Sequence, residues 1–313
     1  MKVCVLSDES IDEFNPSSYL QDHEWDMVTV EPPIHEFIHE ISIRKSYDVY
    51  LNIFEGFGED DNSGFEVVTA LESLNLPFTG AGTEFYNPTR EHMQGVAEAH
   101  GISFARGFNA GLIGHLAQAN DLRFPLIVKH PNSFGSTGLT RESRVNSLNG
   151  LEEQFKCIAG ENGSARVEEF IDGRELTCLV VDNPDDLNSP YAYPPAEISF
   201  PAGETFLHVD VKWVNWDTYV VRLEEKDIAT SVQELSKKFY QAMRGIGYGR
   251  VDLRMRPNGE LVIIEINPNC GILYAPEDRG PADLPISWDR DGHKGFLDRI
   301  FRAAILRQKA RTG

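Results

Sequence analysis

From Lys2 to Gly82 the apolar positions change rhythm repeatedly. Val3 to Leu6 and Val49 to Phe54 are short unbroken apolar runs, while Val67 to Leu74 has the spacing of a helix, with Gly and Pro turns between. Continuous apolar strands alternating with helical segments are the pattern of a parallel sheet covered on both faces, so residues 1–86 are predicted as a parallel α/β lobe. A helix over Thr89 to His100 follows. A strand over Pro125 to Lys129, a Gly/Ser-rich loop and a strand ending at Glu168 to Ile171 then predict a small mixed lobe over 87–169. Residues 170–313 are predicted as a third lobe. It holds strands at Leu176 to Val181 and Val209 to Val214, a helix near Ser231 to Gly245, a hairpin, and an amphipathic helix from Lys294 to about Arg307. Asn183 to Pro195, rich in Pro and Asp, reads as a surface loop, and no internal repeat is present.

The hairpin carries the sharpest pattern. Gly249 to Arg256 and Glu260 to Asn267 alternate around Pro257-Asn258-Gly259. With Asn258-Gly259 as a two-residue turn, Pro257 faces Glu260, and counting outward sets Asp252 opposite Glu265 and Arg250 opposite Asn267. Val251, Leu253, Met255, Val262, Ile264 and Ile266 then share the other face and are expected in the core. Two carboxylates directly opposite on a sheet repel. The pair calls for a counter-ion, and hard oxygen donors with an Asn suit magnesium. The alternative is that Arg250 and Arg254 neutralise the pair on a solvated face. A type I turn with a Gly bulge at Pro257 to Gly259 would slip the pairing by one residue unless a second bulge restores it.

Composition narrows the partners. The chain has 313 residues, long enough for two or three lobes around large cores. Its 49 acidic side chains against 29 Lys and Arg give a formal net charge of -20, which repels nucleic acid and anionic membrane surfaces. No nucleic-acid or membrane partner is expected. The apolar run at the N-terminus stops at Asp8, too soon for a signal or spanning segment, so a cytoplasmic protein is expected. Cys4, Cys157, Cys178 and Cys270 lack Cys-x-x-Cys spacing and read as reduced, mostly buried thiols. Cys270 is the one that falls among the motifs.

Pro125 to Lys129 delivers a Lys beside Asn132-Ser133-Phe134-Gly135-Ser136-Thr137-Gly138, a loop whose glycines let backbone amides approach phosphate oxygens and whose hydroxyls add donors. It is not a Walker A loop, because no Gly-Lys-Ser/Thr follows at the required spacing. In isolation a Lys at this position is also compatible with a solvated turn.

Taken in order, these motifs resemble D-alanine–D-alanine ligases of the ATP-grasp superfamily, over roughly Asp48 to Gly271. Arg250-x-Asp252, then Glu265-x-Asn267-Pro268-Asn269-x-Gly271, resembles the metal signature that closes the ATP-grasp fold. The resemblance implies an α/β protein of three lobes: a parallel N-terminal lobe, a small central lobe and a C-terminal lobe bearing the metal hairpin. It also implies an ADP-forming ligase that joins a carboxylate to an amine through an acyl phosphate. ATP and Mg2+ are the implied cofactors, with Mn2+ as a substitute. Asp252, Glu265 and Asn267 would hold the metal and Arg250 would steady the transferring phosphoryl group. Lys129 and Arg90 would bind phosphates, Arg90 standing where the family carries Lys. Ser136 and Thr137 would cover the phosphates and Lys212 would reach the γ-phosphate from a mobile loop. In Val167 to Glu175, Glu168, Glu169, Phe170 and Ile171 form the hinge whose main chain reads adenine, and Glu175 takes the ribose hydroxyls.

The substrate side departs from that pattern. Ser7-Asp8-Glu9-Ser10 follows the first strand where the family has a Gly-Gly turn, and Ile272 to Pro285 has no clear counterpart of the family's Ser and Leu contacts. The substrates are therefore expected to be small-molecule carboxylates, amino acids or peptide-like, and amines, not restricted to D-alanine, with a homodimer among the expected assemblies. Two further readings stand beside the ligase. One is an ATP-binding module without chemistry. The other is a zinc peptidase, since His35-Glu36-Phe37-Ile38-His39 fits His-Glu-x-x-His.

Overall fold

The computed structural model describes residues 1–8, 16–57, 62–132, 138–208, 219–277 and 279–312. Three sheets organise them. In the first, β1 (Lys2–Ser7) lies between β2 (Glu24–Thr29) and β3 (Val49–Asn52), and both pairings are parallel. Every residue of β1 after Lys2 is buried, which explains its unbroken apolar run. Cys4 and Leu6 pack toward α1 (Ile34–Arg44) and α2 (Ser63–Ser73), whereas Val3 and Val5 share a core with the C-terminal helix. The edge strand β2 is only half-buried and carries Glu and Asp, so it lacked the apolar run that announces a strand.

The second sheet is antiparallel, in the order β4 (Gly107–Ala110), β7 (Ala165–Glu169), β5 (Leu126–Lys129), β6 (Arg144–Val145). Helix α3 (Arg90–Ala99) precedes it and α4 (Leu148–Asn162) covers it with Leu151, Phe155 and Ile158. Ser147 caps α4 by accepting from the Gly150 amide, and Gly163 ends it at φ 73°, a left-handed backbone that favours glycine.

The third sheet runs β11 (Tyr219–Arg222), β10 (Ala196–Ser199), β8 (Arg174–Val181), β12 (Tyr248–Met255), β13 (Leu261–Pro268), with the two-residue β9 (Tyr191–Ala192) also on β8. One face packs on α5 (Lys226–Ala242) through Val232, Phe239 and Tyr240. Helix α5 starts a turn earlier than its apolar spacing suggested, because its first turn is polar. The expected strand Val209 to Val214 lies outside the described residues. Two C-terminal helices, α6 (Asp283–Trp288) and α7 (Gly292–Thr312), complete the fold. No helix among the described residues is long and apolar enough to cross a membrane.

The hairpin of β12 and β13 contains both irregularities weighed from the sequence. Gly259 sits at φ 87°, its amide donates to the Arg256 carbonyl at 2.9 Å, and the Arg256 amide donates to Glu260 at 2.8 Å. This is the longer, bulged turn. It slips the pairing so that Met255 faces Leu261, and then Leu253 pairs with Ile263 while Asp252 pairs with Glu265. The extra residue is Ile264. Its bulge restores the register, so Asp252 and Glu265 do face one another and Arg250 faces Asn267. The expected core face is corrected accordingly. Val251, Leu253 and Ile266 are joined by Ile263, while Val262 turns to the other side with Ala105 and Ile171, and Ile264 is only half-buried.

Candidate active site

The polar side of this hairpin gathers four of the expected residues. Arg250 holds Asp252 in a fork, Nε to Oδ1 at 2.9 Å and Nη2 to Oδ2 at 2.8 Å. Asn267 Nδ2 donates to Asp252 Oδ2 at 2.8 Å and to Glu265 Oε1 at 3.3 Å, so one amide spans both carboxylates. Thr177, from the neighbouring β8, donates to Asp252 Oδ1 at 2.7 Å. Arg90 begins α3, which Thr89 caps, and reaches Glu265 Oε2 at 2.7 Å. Arg90 thus acts first on a carboxylate, where the resemblance implied a phosphate. Its other terminal nitrogen approaches the Pro131 carbonyl at 3.4 Å, at the entrance to the Gly-rich segment.

Charge balance follows from these contacts. Burial pushes the Glu265 carboxyl up, but Arg90, Lys129 and Arg250 outweigh it and hold the group below its ordinary value. Glu265 therefore stays anionic, and both it and Asp252 lie within reach of one carboxamide. Two carboxylates and an amide oxygen are the donor chemistry that magnesium takes. The donor set fits. Arg250 does neutralise Asp252, as the alternative reading had it, whereas Arg254 does not join the pair. Its nearest carboxylate is Glu175, at 3.5 Å, and it donates to the carbonyls of Gly173 and Thr205.

Lys129 ends β5 with its ammonium 2.6 Å from Glu168, which also meets Arg166 Nε at 2.9 Å. All three are buried. Burial opposes charge on Glu168, yet Lys129, Arg166 and Arg90 bring its pKa down to about 2. Glu168 thereby anchors Lys129 at the side of the cleft. Glu169 is buried too, and its carboxylate accepts from the Arg123 amide at 3.1 Å, so neither glutamate is an exposed strand end. The ring of Phe170 lies between the guanidinium groups of Arg144 and Arg254, each 4.8 Å from its centre, with Phe206 edge-on at 5.6 Å. Ile171 is buried against Ala105 and Val262. Glu175 is pushed up to about 7: burial dominates, Arg254 at 3.5 Å opposes it only in part, and Asp252 and Glu265 add repulsion.

Arg90, Lys129, Glu168, Glu175, Arg250, Asp252, Glu265 and Asn267 are thus linked by contacts or by mutual charge across six elements, α3, β5, β7, β8, β12 and β13. Ser136, Thr137 and Lys212 lie outside the described residues. Thr177, Arg144 and Arg166 were not foreseen. Thr177 shares the polar side of the sheet with Glu175, and Arg166 stands two residues before Glu168 on β7, alternations that were legible, whereas Arg144 meets the Phe170 ring and Asp172 only through the fold. A wide groove of about 710 Å³, lined by Arg174, Glu197, Asp227, Ser231 and Met255, lies toward α5 and contains none of the expected residues.

Cys270 is a packing residue, as its bland reading held: it is buried in the core shared by the first and third sheets, and burial pushes its thiol up to about 12. Cys157, by contrast, is exposed. His35 and His39 lie one turn apart on α1, where His35 meets Ser73 Oγ at 3.2 Å. No group of three or more His, Cys, Asp or Glu among the described residues could hold a metal ion, so none of those residues joins His35 and His39 as a third zinc ligand.

Known proteins agree with the geometry. The sequence profile of the family described as D-ala D-ala ligase C-terminus matches residues 113–275. A D-alanine–D-alanine ligase of Bifidobacterium longum is 26% identical over 284 residues, covering 84% of this chain and 68% of that protein. One from a Psychrobacter species is 28% identical over 241 residues, covering 74% and 68%. The crystal structure of the D-alanine–D-alanine ligase of Bacillus anthracis superposes with a TM-score of 0.72 at 19% identity over 99% of both chains. The same enzyme complexed with ATP gives 0.69 at 18% identity, again over 99% of both chains. The non-catalytic and peptidase readings gain nothing from these relatives. The chain belongs to the D-ala D-ala ligase C-terminus family and is an ATP-grasp ligase that uses ATP and Mg2+ to join a carboxylate to an amine.

Proposed function

We propose that this ligase joins two amino-acid-like substrates, with D-alanine the first pair to test because the named relatives act as D-alanine–D-alanine ligases. The observation that carries the reading is the convergence of Asp252, Glu265 and Asn267 on one side of the hairpin, each carboxylate already oriented by an arginine. Magnesium held there supplies neutralisation of phosphate charge. Asp252, Glu265 and Asn267 are its proposed ligands. Arg250, fixed by Asp252, stabilises charge as a substrate carboxylate oxygen attacks phosphorus. Lys129 and Arg90 bind phosphate oxygens, aided by Ser136, Thr137 and Lys212. Glu168 positions Lys129, the main chain from Glu169 through Phe170 to Ile171 meets adenine, and Glu175 accepts the ribose hydroxyls. Lobe boundaries near residues 86 and 169 place these groups on two sides of one cleft, and orientation of the bound reactants supplies much of the acceleration. A cytoplasmic location and a homodimer complete the proposal, the latter open to light scattering.

The test is ADP release with Mg2+-ATP and a panel of D- and L-amino acids, with condensed products weighed by mass spectrometry. Folded Asp252→Asn and Glu265→Gln variants are expected to lose about 100-fold or more in kcat. Full product formation by both would sink the assignment.

A further inference from the structure

Beyond Asn267 the chain folds back through two left-handed residues, Asn269 at φ 51° and Leu273 at φ 62°. The buried carboxylate of Asp283 holds the second bend, accepting from the Leu273 amide at 2.9 Å and the Tyr274 amide at 3.1 Å. His293 Nε2 braces Asp283 at 3.0 Å, the Tyr19 ring stacks on His293 with centroids 4.4 Å apart, and the Tyr19 hydroxyl donates to the Tyr274 carbonyl at 2.8 Å. The clamp brings the Tyr274 ring back over two glycines. A Cβ on Gly271 would lie 2.3 Å from the Tyr274 hydroxyl oxygen, and one on Gly280 would lie 2.9 Å from the ring. A side chain at either position would require the Tyr274 ring to move. Gly271 also lines a small cavity with Asn52, Glu55, Tyr248 and Asn269.

We propose that Tyr274 is a specificity-determining residue of the ligase, a wall beside Gly271 that limits the amine substrate to small, amino-acid-sized molecules. The inference rests on the active site proposed above. The new bond must form close to the phosphorus held by Asp252, Glu265 and Asn267, and Gly271 is four residues from Asn267, at most about 14 Å of extended chain. Backbone this near the reacting atoms borders the substrates, and a ring wedged on it subtracts volume from their site. Asp283, His293 and Tyr19 are positioning residues, since each acts through the loop.

Steady-state kinetics with one carboxylate substrate and a series of amines, from glycine-sized to aromatic, tests this on the full-length enzyme. Tyr274→Ala is expected to shift the kcat/KM ratio of large to small amines at least about tenfold toward the large, while the KM for ATP stays within about twofold. Tyr274→Phe should keep the wild-type preference, because the ring is retained. An active Tyr274→Ala enzyme with unaltered amine preference overturns the inference, as does a KM for ATP that moves as far as that for the amine. Should Tyr274→Ala fail to fold, Tyr274→Leu carries the same comparison. A wild-type enzyme that condenses none of the amines refutes the proposed substrates, and this inference falls with them.

Discussion

Glu175 shows how neighbours decide what a residue does. Its alternation along β8 was legible, but its protonation depends on burial, on Arg254 at 3.5 Å, and on the charges of Asp252 and Glu265. A carboxyl whose pKa is raised in the folded state keeps a proton there that the unfolded chain has released. Its contribution to stability is therefore present below its ordinary value of 4.5 and is lost as pH rises through about 7. Urea unfolding of wild type should show stability falling between about pH 5 and 8, with a flatter profile for Glu175→Gln. In the ribose-binding role proposed for Glu175, ATP binding points the opposite way, since ribose hydroxyls donate to the ionised form. Affinity should rise severalfold from about pH 6 to 8 in wild type and not in Glu175→Gln. A variant that keeps the wild-type slope would place the titration elsewhere. Arg250, Asp252, Glu265 and Asn267 were legible because residue type and register together point to an oxygen-rich site. The partners of Arg90 and Arg254 were not, because a long side chain settles on whichever acceptor the fold brings near.

At the scale of elements, the hairpin is set by two compensating irregularities. The Pro257 to Gly259 turn adds a residue on one side and Ile264 adds one on the other, leaving the catalytic end in the register that a tight turn would have given. Alternation alone identified the pair across the ladder but assigned Ile263 and Val262 to the wrong faces, since a bulge flips every side chain up to the turn. Gly259→Ala should lower stability by about 1 kcal/mol through its left-handed backbone, read as a smaller denaturant midpoint with an unchanged m value. ATP-dependent turnover should persist, because the Ile264 bulge lies between that turn and the carboxylates. Loss of turnover in a folded Gly259→Ala would mean that the turn also controls the register at Asp252. Helix α4 and strand β10 passed unnoticed for a simpler reason. Their apolar positions are few, and their faces are defined by the sheets they cover or extend.

At the scale of the whole molecule, α7 joins what the chain order separates. Val3, Val5, Val49 and Leu51 of the first sheet share one core with Leu179 and Val181 of the third, closed by Phe296, Ile300 and Phe301. Arg307 completes the seam. It pairs with Asp182 at 2.7 Å and donates to the Phe78 carbonyl at 2.7 Å, while Asp182 also accepts from Tyr240 and the Gly247 amide, both at 2.8 Å. Removing the guanidinium leaves a largely buried carboxylate undercompensated, so Arg307→Met should cost about 2–3 kcal/mol in unfolding free energy. Chemical denaturation checks the value, and a change below about 0.5 kcal/mol would show the seam to be a solvated ion pair.

The sequence by itself determined the strands with continuous or alternating apolar runs, the pairing of Asp252 with Glu265, the ordered set of nucleotide-site candidates from Arg90 to Asn267, and the family these belong to. The strands and the pairing follow from local periodicity and residue chemistry, and the candidate set and the family from the resemblance of motifs in chain order, all of which the chain carries without folding. Only the tertiary structure decided that Arg90 crosses to Glu265, that Glu168 sits between Lys129 and Arg166, that Arg254 turns to Glu175, and that Tyr274 is folded over Gly271 by Asp283, His293 and Tyr19. Apart from that of Glu168 with Arg166, two residues apart on β7, these contacts join residues distant in the chain or separated by irregular turns. No periodicity encodes them, because each is selected by which charges and rings packing leaves within a few ångströms of one another.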